Sequence, residues 1–205
     1  MLKIVIFASG RGSNLQAILN AINSSNKKVV ISGVVSNNKD CGAFEIARNN
    51  NISAYLVSDS RQEGFFTYDE LSRIFVKENI DLIVLAGFLK KIPDDFVEFY
   101  ENKIINIHPA LLPSFGGKGM YGIKVHQAVL NSSAMVSGAT VHFVNKVYDD
   151  GLIIAQESVD IANCVSADEI AERVLKIEHK LLPRVIDWFA DGKISINKNR
   201  VRIAN

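Results

Sequence analysis

Residues 2–22 read L-K-I-V-I-F-A-S-G-R-G-S-N-L-Q-A-I-L-N-A-I. Leu2–Ala8 is a short apolar run, the pattern of a strand buried on both faces. Gly10–Ser13 supplies a turn. From Asn14 to Ile22 the apolar residues recur as Leu15, Ile18, Leu19 and Ile22, which is the spacing of one helix face. Ser13 and Gln16 stand three apart, predicting a capping box at the helix start. A buried strand, a glycine turn and an amphipathic helix in succession open an α/β fold.

The alternation continues outward from this stretch. Strands are predicted over Val29–Val35, Ser53–Val57, Asp81–Ala86 and through Ile104–Ile107. Helices fall between them at Ala43–Arg48, Tyr68–Glu78 and Pro93–Tyr100. Strands that alternate with helices predict a three-layer, doubly wound, mostly parallel sheet. After Ser114 the pattern changes. Lys118–Gly122 is a glycine-rich loop, and Lys124–Leu130 is a short helix. Gly138–Val144 and Leu152–Val159 are strands joined by a turn holding Asp150-Gly151, so the far edge of the sheet is expected to be antiparallel. Ser166–Asp187 is the longest helix. Ser166 and Glu169 give it a capping box, Ile170, Val174, Ile177, Leu181 and Val185 an apolar stripe, and Pro183 an expected kink. Ile194–Ile203 alternates weakly, as a small hairpin does. The 205 residues suit one domain over 1–205, with halves at about 1–100 and about 101–205.

Composition narrows the function classes. Lys plus Arg number 23 against 22 for Asp plus Glu, so no excess positive field is present to hold a nucleic-acid backbone. No stretch approaches the ~18 apolar residues that a membrane span needs. Cys41 and Cys164 are far apart and form no C-x-x-C pair. The expectation is a cytoplasmic protein with reduced thiols, bound to neither membrane nor nucleic acid. His108, His126, His142 and His179 share no metal-ligand spacing, so no metal is expected. His142 and His179 read as structural hydrogen-bonders, and His126 as a residue of a surface helix with no role.

Two segments carry chemistry. Ser9–Leu15, S-G-R-G-S-N-L, follows a strand and opens a helix. Helix amides and glycines together suit a phosphate. The alternative is a tight turn that only caps the helix. A dinucleotide fingerprint fits poorly, since Leu15 replaces the third glycine and Asn37-Asn38 stand where an acidic residue would meet a ribose. The second segment, residues 104–117, reads I-I-N-I-H-P-A-L-L-P-S-F-G-G. Asn106 and His108 point to the same face of an extended chain, and Pro109 ends the strand. An amide and an imidazole at the mouth of an apolar strand mark a site. Asp149-Asp150-Gly151 is ordinary turn chemistry for Asp150 and explains Asp149 less well.

F-A-S-G-R-G-S-N-L-Q-A-I, L-A-G-F-L-K-K-I, I-N-I-H-P-A-L-L-P-S-F-G-G and V-H-F-V…D-D-G, in this order, resemble the phosphoribosylglycinamide formyltransferase family. The Asn-x-His-Pro segment is shared with a wider group that uses 10-formyltetrahydrofolate. That group includes deformylases and tRNA formyltransferases, in which further domains are expected. The resemblance implies a Rossmann-like formyltransferase fold and formyl transfer from 10-formyltetrahydrofolate to the amine of 5'-phosphoribosylglycinamide in purine synthesis. It implies a catalytic trio of Asn106, His108 and Asp149. Gly12, Ser13 and Asn14 would hold the substrate phosphate, and Glu178 would orient its amine. Arg61, Leu89, Lys90, Lys91, Ile92 and Asn106 would contact the folate. The first half would bind the nucleotide phosphate, and the second would be the catalytic and folate-binding half. The Gly116–Gly122 loop departs from the family in being longer than in some members, and a lid role for it stays open. Partners would be small molecules, with monomer and homodimer both open. Hydrolysis of the same folate and a plain nucleotide-phosphate-binding module are the competing readings.

Overall fold

A computed structural model describes residues 1–24 and 29–204. The elements follow the predicted alternation: β1 (Leu2–Phe7), α1 (Ser13–Ser24), β2 (Val29–Ser36), α2 (Gly42–Asn49), β3 (Ser53–Leu56), α3 (Tyr68–Glu78), β4 (Leu82–Leu85), α4 (Asp94–Phe99), β5 (Ile104–His108), α5 (Ile123–Asn131), β6 (Val136–Phe143), β7 (Ile153–Asp160), α6 (Ala167–Ala190), β8 (Ile194–Asn197) and β9 (Arg200–Ile203). A seven-stranded sheet runs in the order β3-β2-β1-β4-β5-β6-β7, and β8-β9 form a separate hairpin. β1 pairs in parallel with β2 and β4, β2 in parallel with β3, and β6 antiparallel with β7. The antiparallel edge falls where the Asp150-Gly151 turn put it, and the terminal hairpin where the weak alternation of Ile194–Ile203 did.

The chain forms two compact units, Met1–Ile105 and Asn106–Asn205. In the first, β4 is buried along its length and β1 from Ile4 onward, through Ile4, Val5, Ile6, Phe7, Leu82, Ile83 and Val84. Phe7 meets Phe75, Phe88 and Phe96 edge-on or tilted. Burying such rings contributes roughly 1.5–3 kcal/mol each. In the second unit, α6 packs on β6 and β7, burying Ile170, Val174, Leu181, Leu182 and Val185. It continues through Pro183 to Ala190.

Local signals were met unevenly. Thr67 and Glu70 form a complete capping box on α3: Thr67 Oγ1 accepts from the Glu70 amide at 3.3 Å, and Glu70 Oε2 accepts from the Thr67 amide at 2.8 Å. On α6 only half the expected box forms. Ser166 Oγ accepts from the Glu169 amide, but Glu169 reaches back to the Val165 amide at 3.0 Å. On α1 the predicted Ser13–Gln16 box does not describe the helix start. Ser13 is already helical, and the Gln16 amide donates to the Gly12 carbonyl at 2.9 Å, so Gly12 holds the cap position. His126 is also corrected. It is 5% exposed, because α5 packs against α6 and turns that ring inward.

Candidate active site

In the first unit the strand order reverses between β1 and β4, since β1 leads on to β2 and β4 to β5. Open α/β sheets bind ligands beyond the carboxyl ends of their strands at such a reversal. Ser9–Asn14 leaves β1 there, and Gly87–Ile92 leaves β4. Ser9 ties the two together. Its amide donates to the Gly87 carbonyl at 3.0 Å, and its Oγ accepts from the Leu89 amide at 3.1 Å while donating to Asn37 Oδ1 at 2.7 Å. Gly12 has φ +80°, and a Cβ there would sit 2.8 Å from the Ala43 Cα. Only glycine fits this turn, which packs on α2 and aims the first-turn amides of α1 at the mouth of the loop.

Leu89–Ile92 lies outside helix and strand, so its backbone groups are not committed to a ladder. Leu89 is exposed and Ile92 buried. Lys90 pairs with Asp59 at 2.6 Å, and Lys91 with Asp94 at 2.6 Å. Arg61 is exposed in the segment between β3 and α3. Tyr68 is buried beside that segment. Desolvation pushes its hydroxyl pKa up, and the Asp59 charge adds to that.

The second unit assembles the other predicted residues. Asn106 and His108 lie on β5, and Pro109 ends the strand as expected. Asp149 stands in the β6–β7 turn with φ +54°, a left-handed conformation that Asp tolerates better than most residues. Gly151 permits that turn, since a Cβ there would meet the Phe143 carbonyl oxygen at 1.8 Å. His108 Nδ1 lies 3.6 Å from Asp149 Oδ2, and both side chains are largely buried. His108 Nε2 lies 2.9 Å from the Phe115 carbonyl. A carbonyl only accepts, so Nε2 carries a hydrogen. A second proton, on Nδ1, is what would turn the approach to Asp149 into an ion pair. The Gly117 amide donates to Asp149 Oδ2 at 2.8 Å.

His142, expected to be structural, belongs to this cluster. It ends near Asn106, with Nε2 and the Asn106 Nδ2 3.1 Å apart, and lies 3.7 Å from Asp149 Oδ1. Its Nδ1 is 2.8 Å from the Phe143 carbonyl and must donate there. Burial pushes the His142 pKa down and His108 adds to that, against the Phe143 carbonyl and Asp149. The neutral ring thus has a bare Nε2, which accepts from the Asn106 amide and fixes its orientation. One Asn106 N–H is spent on His142, and the second remains for a ligand. The signal available from sequence was V-H-F-V itself, which places His142 at the end of a strand.

Glu178 lies buried on α6. His126 has its pKa pushed down to about 4 by burial, reinforced by His108 and opposed by Asp168. Among the described residues no cluster of three or more His, Cys, Asp or Glu could hold a metal, and no helix is long and apolar enough to cross a membrane.

Residues 2–186 match the formyl transferase family, and the chain belongs to it. Phosphoribosylglycinamide formyltransferase of Escherichia coli K12 is 36% identical over 97% of this chain and 92% of its own length. The chloroplastic enzyme of the same name from Arabidopsis thaliana is 43% identical over 97% of this chain and 69% of its own. The crystal structure of phosphoribosylglycinamide formyltransferase from Anaplasma phagocytophilum superposes with a TM-score of 0.89 at 32% identity, covering 100% of this chain and 94% of that one.

Proposed function

We propose that this chain transfers the formyl group of 10-formyltetrahydrofolate to the terminal amine of 5'-phosphoribosylglycinamide, a step of purine synthesis, in the cytoplasm. The observation that carries the reading is the convergence of an amide donor, an imidazole and a carboxylate in a chain of this family. Both the one-carbon donor and the nucleotide are substrates. The backbone of Leu89–Ile92, outside helix and strand, with Lys90 and Lys91 within it and Arg61 on the segment after β3, suits a heteroaromatic ring with carboxylates. Folate carboxylates would compete there with Asp59 and Asp94 for the two lysines.

In this reading 1–205 works as one domain. The first half supplies the phosphate loop at Gly12, Ser13 and Asn14, and the second supplies the catalytic residues. The amine attacks the formyl carbon, and negative charge develops on the formyl oxygen. The free N–H of Asn106 donates to that oxygen, and so does His108 through a second proton on Nδ1, since its Nε2–H is held by the Phe115 carbonyl. Asp149 receives the proton that the amine sheds, directly or through water, and Glu178 orients the amine. The adduct then collapses: the bond from the formyl carbon to N10 breaks, and the proton passes to N10 as tetrahydrofolate leaves. Donors held in place before the reaction need no reorganisation as charge develops, and losing one typically costs ~10²–10³ in rate.

The test is a formyl-transfer assay with both substrates, following folate absorbance and formylated product together. Stoichiometric formylation of the nucleotide supports the reading. Formate released without nucleotide formylation would replace it with a hydrolase.

A further inference from the structure

Between His108 and Phe115 the chain describes an arc whose two ends meet, because His108 Nε2–H donates to the Phe115 carbonyl at 2.9 Å. Two side chains from other strands brace the middle of this arc. Thr140 on β6 and Gln156 on β7 stand directly opposite each other in the antiparallel ladder. Thr140 is 0% exposed. Its Oγ1 donates to the Ala110 carbonyl at 2.7 Å and accepts from the Leu112 amide at 3.0 Å. Gln156 Nε2 donates to the same Oγ1 at 3.0 Å and to the Leu112 carbonyl at 2.8 Å. A hydroxyl has one hydrogen and two lone pairs, and a side-chain amide nitrogen has two hydrogens. Every one of these is used, so the brace has a single arrangement.

We infer that Thr140 and Gln156 are positioning residues that set which nitrogen of His108 carries its hydrogen, acting through the braced arc and the Phe115 carbonyl. The inference rests on the proposed formyl transfer for its catalytic consequence but not for its structural content. His108 has two competing partners: the Phe115 carbonyl facing Nε2 and the Asp149 carboxylate facing Nδ1. While Phe115 is held, the hydrogen of the neutral ring sits on Nε2 and Nδ1 is left facing Asp149. Once the arc loosens, Nε2 loses its acceptor and the neutral ring places its hydrogen on Nδ1 toward Asp149. The ring then loses the bond that anchors it at Phe115, and a misplacement of about 1 Å can cost ~10² in rate.

The test compares Thr140→Val, Thr140→Ser and Gln156→Leu with the unaltered chain. Gln156 is an exposed residue, so its variant tests the idea even where Thr140→Val folds poorly. The first readout is the ¹⁵N spectrum of labelled histidine without any substrate. It should show His108 as the Nε2–H form in the unaltered chain and in Thr140→Ser, and a shift toward Nδ1–H in Gln156→Leu and Thr140→Val. The second is steady-state kinetics, where kcat should fall at least about tenfold in the same two variants with KM little changed, and Thr140→Ser should recover it. A His108 tautomer identical in all four proteins overturns the inference. Absence of formyl transfer by the unaltered chain would instead overturn the proposed reaction, and the spectra would still decide this point.

Discussion

Replacing His142 by leucine removes the acceptor that orients Asn106 while keeping an apolar group of similar bulk. His142 Nε2 takes the Asn106 amide hydrogen at 3.1 Å in a site where the histidine is 2% exposed. A net hydrogen bond of this kind is worth roughly 0.5–1.5 kcal/mol, and a buried donor left without a partner costs about 1–3 kcal/mol. Because 1.4 kcal/mol is about a factor of ten, loss of the bond lets the amide turn over in a large share of molecules. The expected fall in kcat is about tenfold, below the ~10²–10³ expected when an oxyanion donor is deleted outright. Folding stability should drop by about 1–3 kcal/mol in urea titrations. His142→Gln offers a side-chain oxygen close to the position of Nε2 and should recover most of the turnover. Kinetics and unfolding of both variants decide the matter. Unchanged kcat in His142→Leu, or glutamine no better than leucine, would refute the claim that this ring orients Asn106.

Acid should destabilise the fold through its buried histidines. His126 is held at about 4 against 6.5 for a free histidine, so the unfolded chain binds the proton first, stability is complete above about pH 6.5, and up to ~3 kcal/mol is lost as pH falls toward 4. His142 and His179, also pushed down by burial, act in the same direction, and urea midpoints between pH 7.5 and 4.5, in steps of about one unit, should show the slope. Asp149→Asn keeps a side chain that tolerates φ +54° and an acceptor for the Gly117 amide, so it should fold normally yet lose turnover with little change in KM. Gly12→Ala places a Cβ 2.8 Å from the Ala43 Cα and distorts the loop after β1, so KM for the nucleotide should rise far more than kcat falls.

The fold was legible because its signals are local. Leu2–Ile22 carries a strand, a turn and a helix in the order a parallel sheet requires, and Asp150-Gly151 marks the antiparallel hairpin that follows. Asn106 and His108 were legible as a pair because residues two apart on a strand share a face. Asp149 needed the family resemblance, since no spacing rule brings a turn in the 140s to a strand ending at His108. His142 was read as structural because its role depends on which nitrogen is bare, and that is set by its own backbone and by an amide arriving from another strand. His126 was read as exposed because a short helix with Lys124 and Gln127 beside it looks solvated until α6 covers one side. Thr67 and Glu70 carry the same signature as Ser13 and Gln16, yet they form the box and the other pair does not. In α1 a glycine with positive φ takes the cap position one residue earlier.

The central claim is that Asn106, His108 and Asp149 act together on one formyl group. Pre-steady-state formyl transfer by His108→Asn, with nucleotide and folate affinities measured separately by calorimetry, tests it most directly. The account predicts both ligands bound with near-normal affinity and a transfer step slowed by at least about 10²-fold. Transfer at the unaltered rate, or a loss explained wholly by weaker binding, would contradict it.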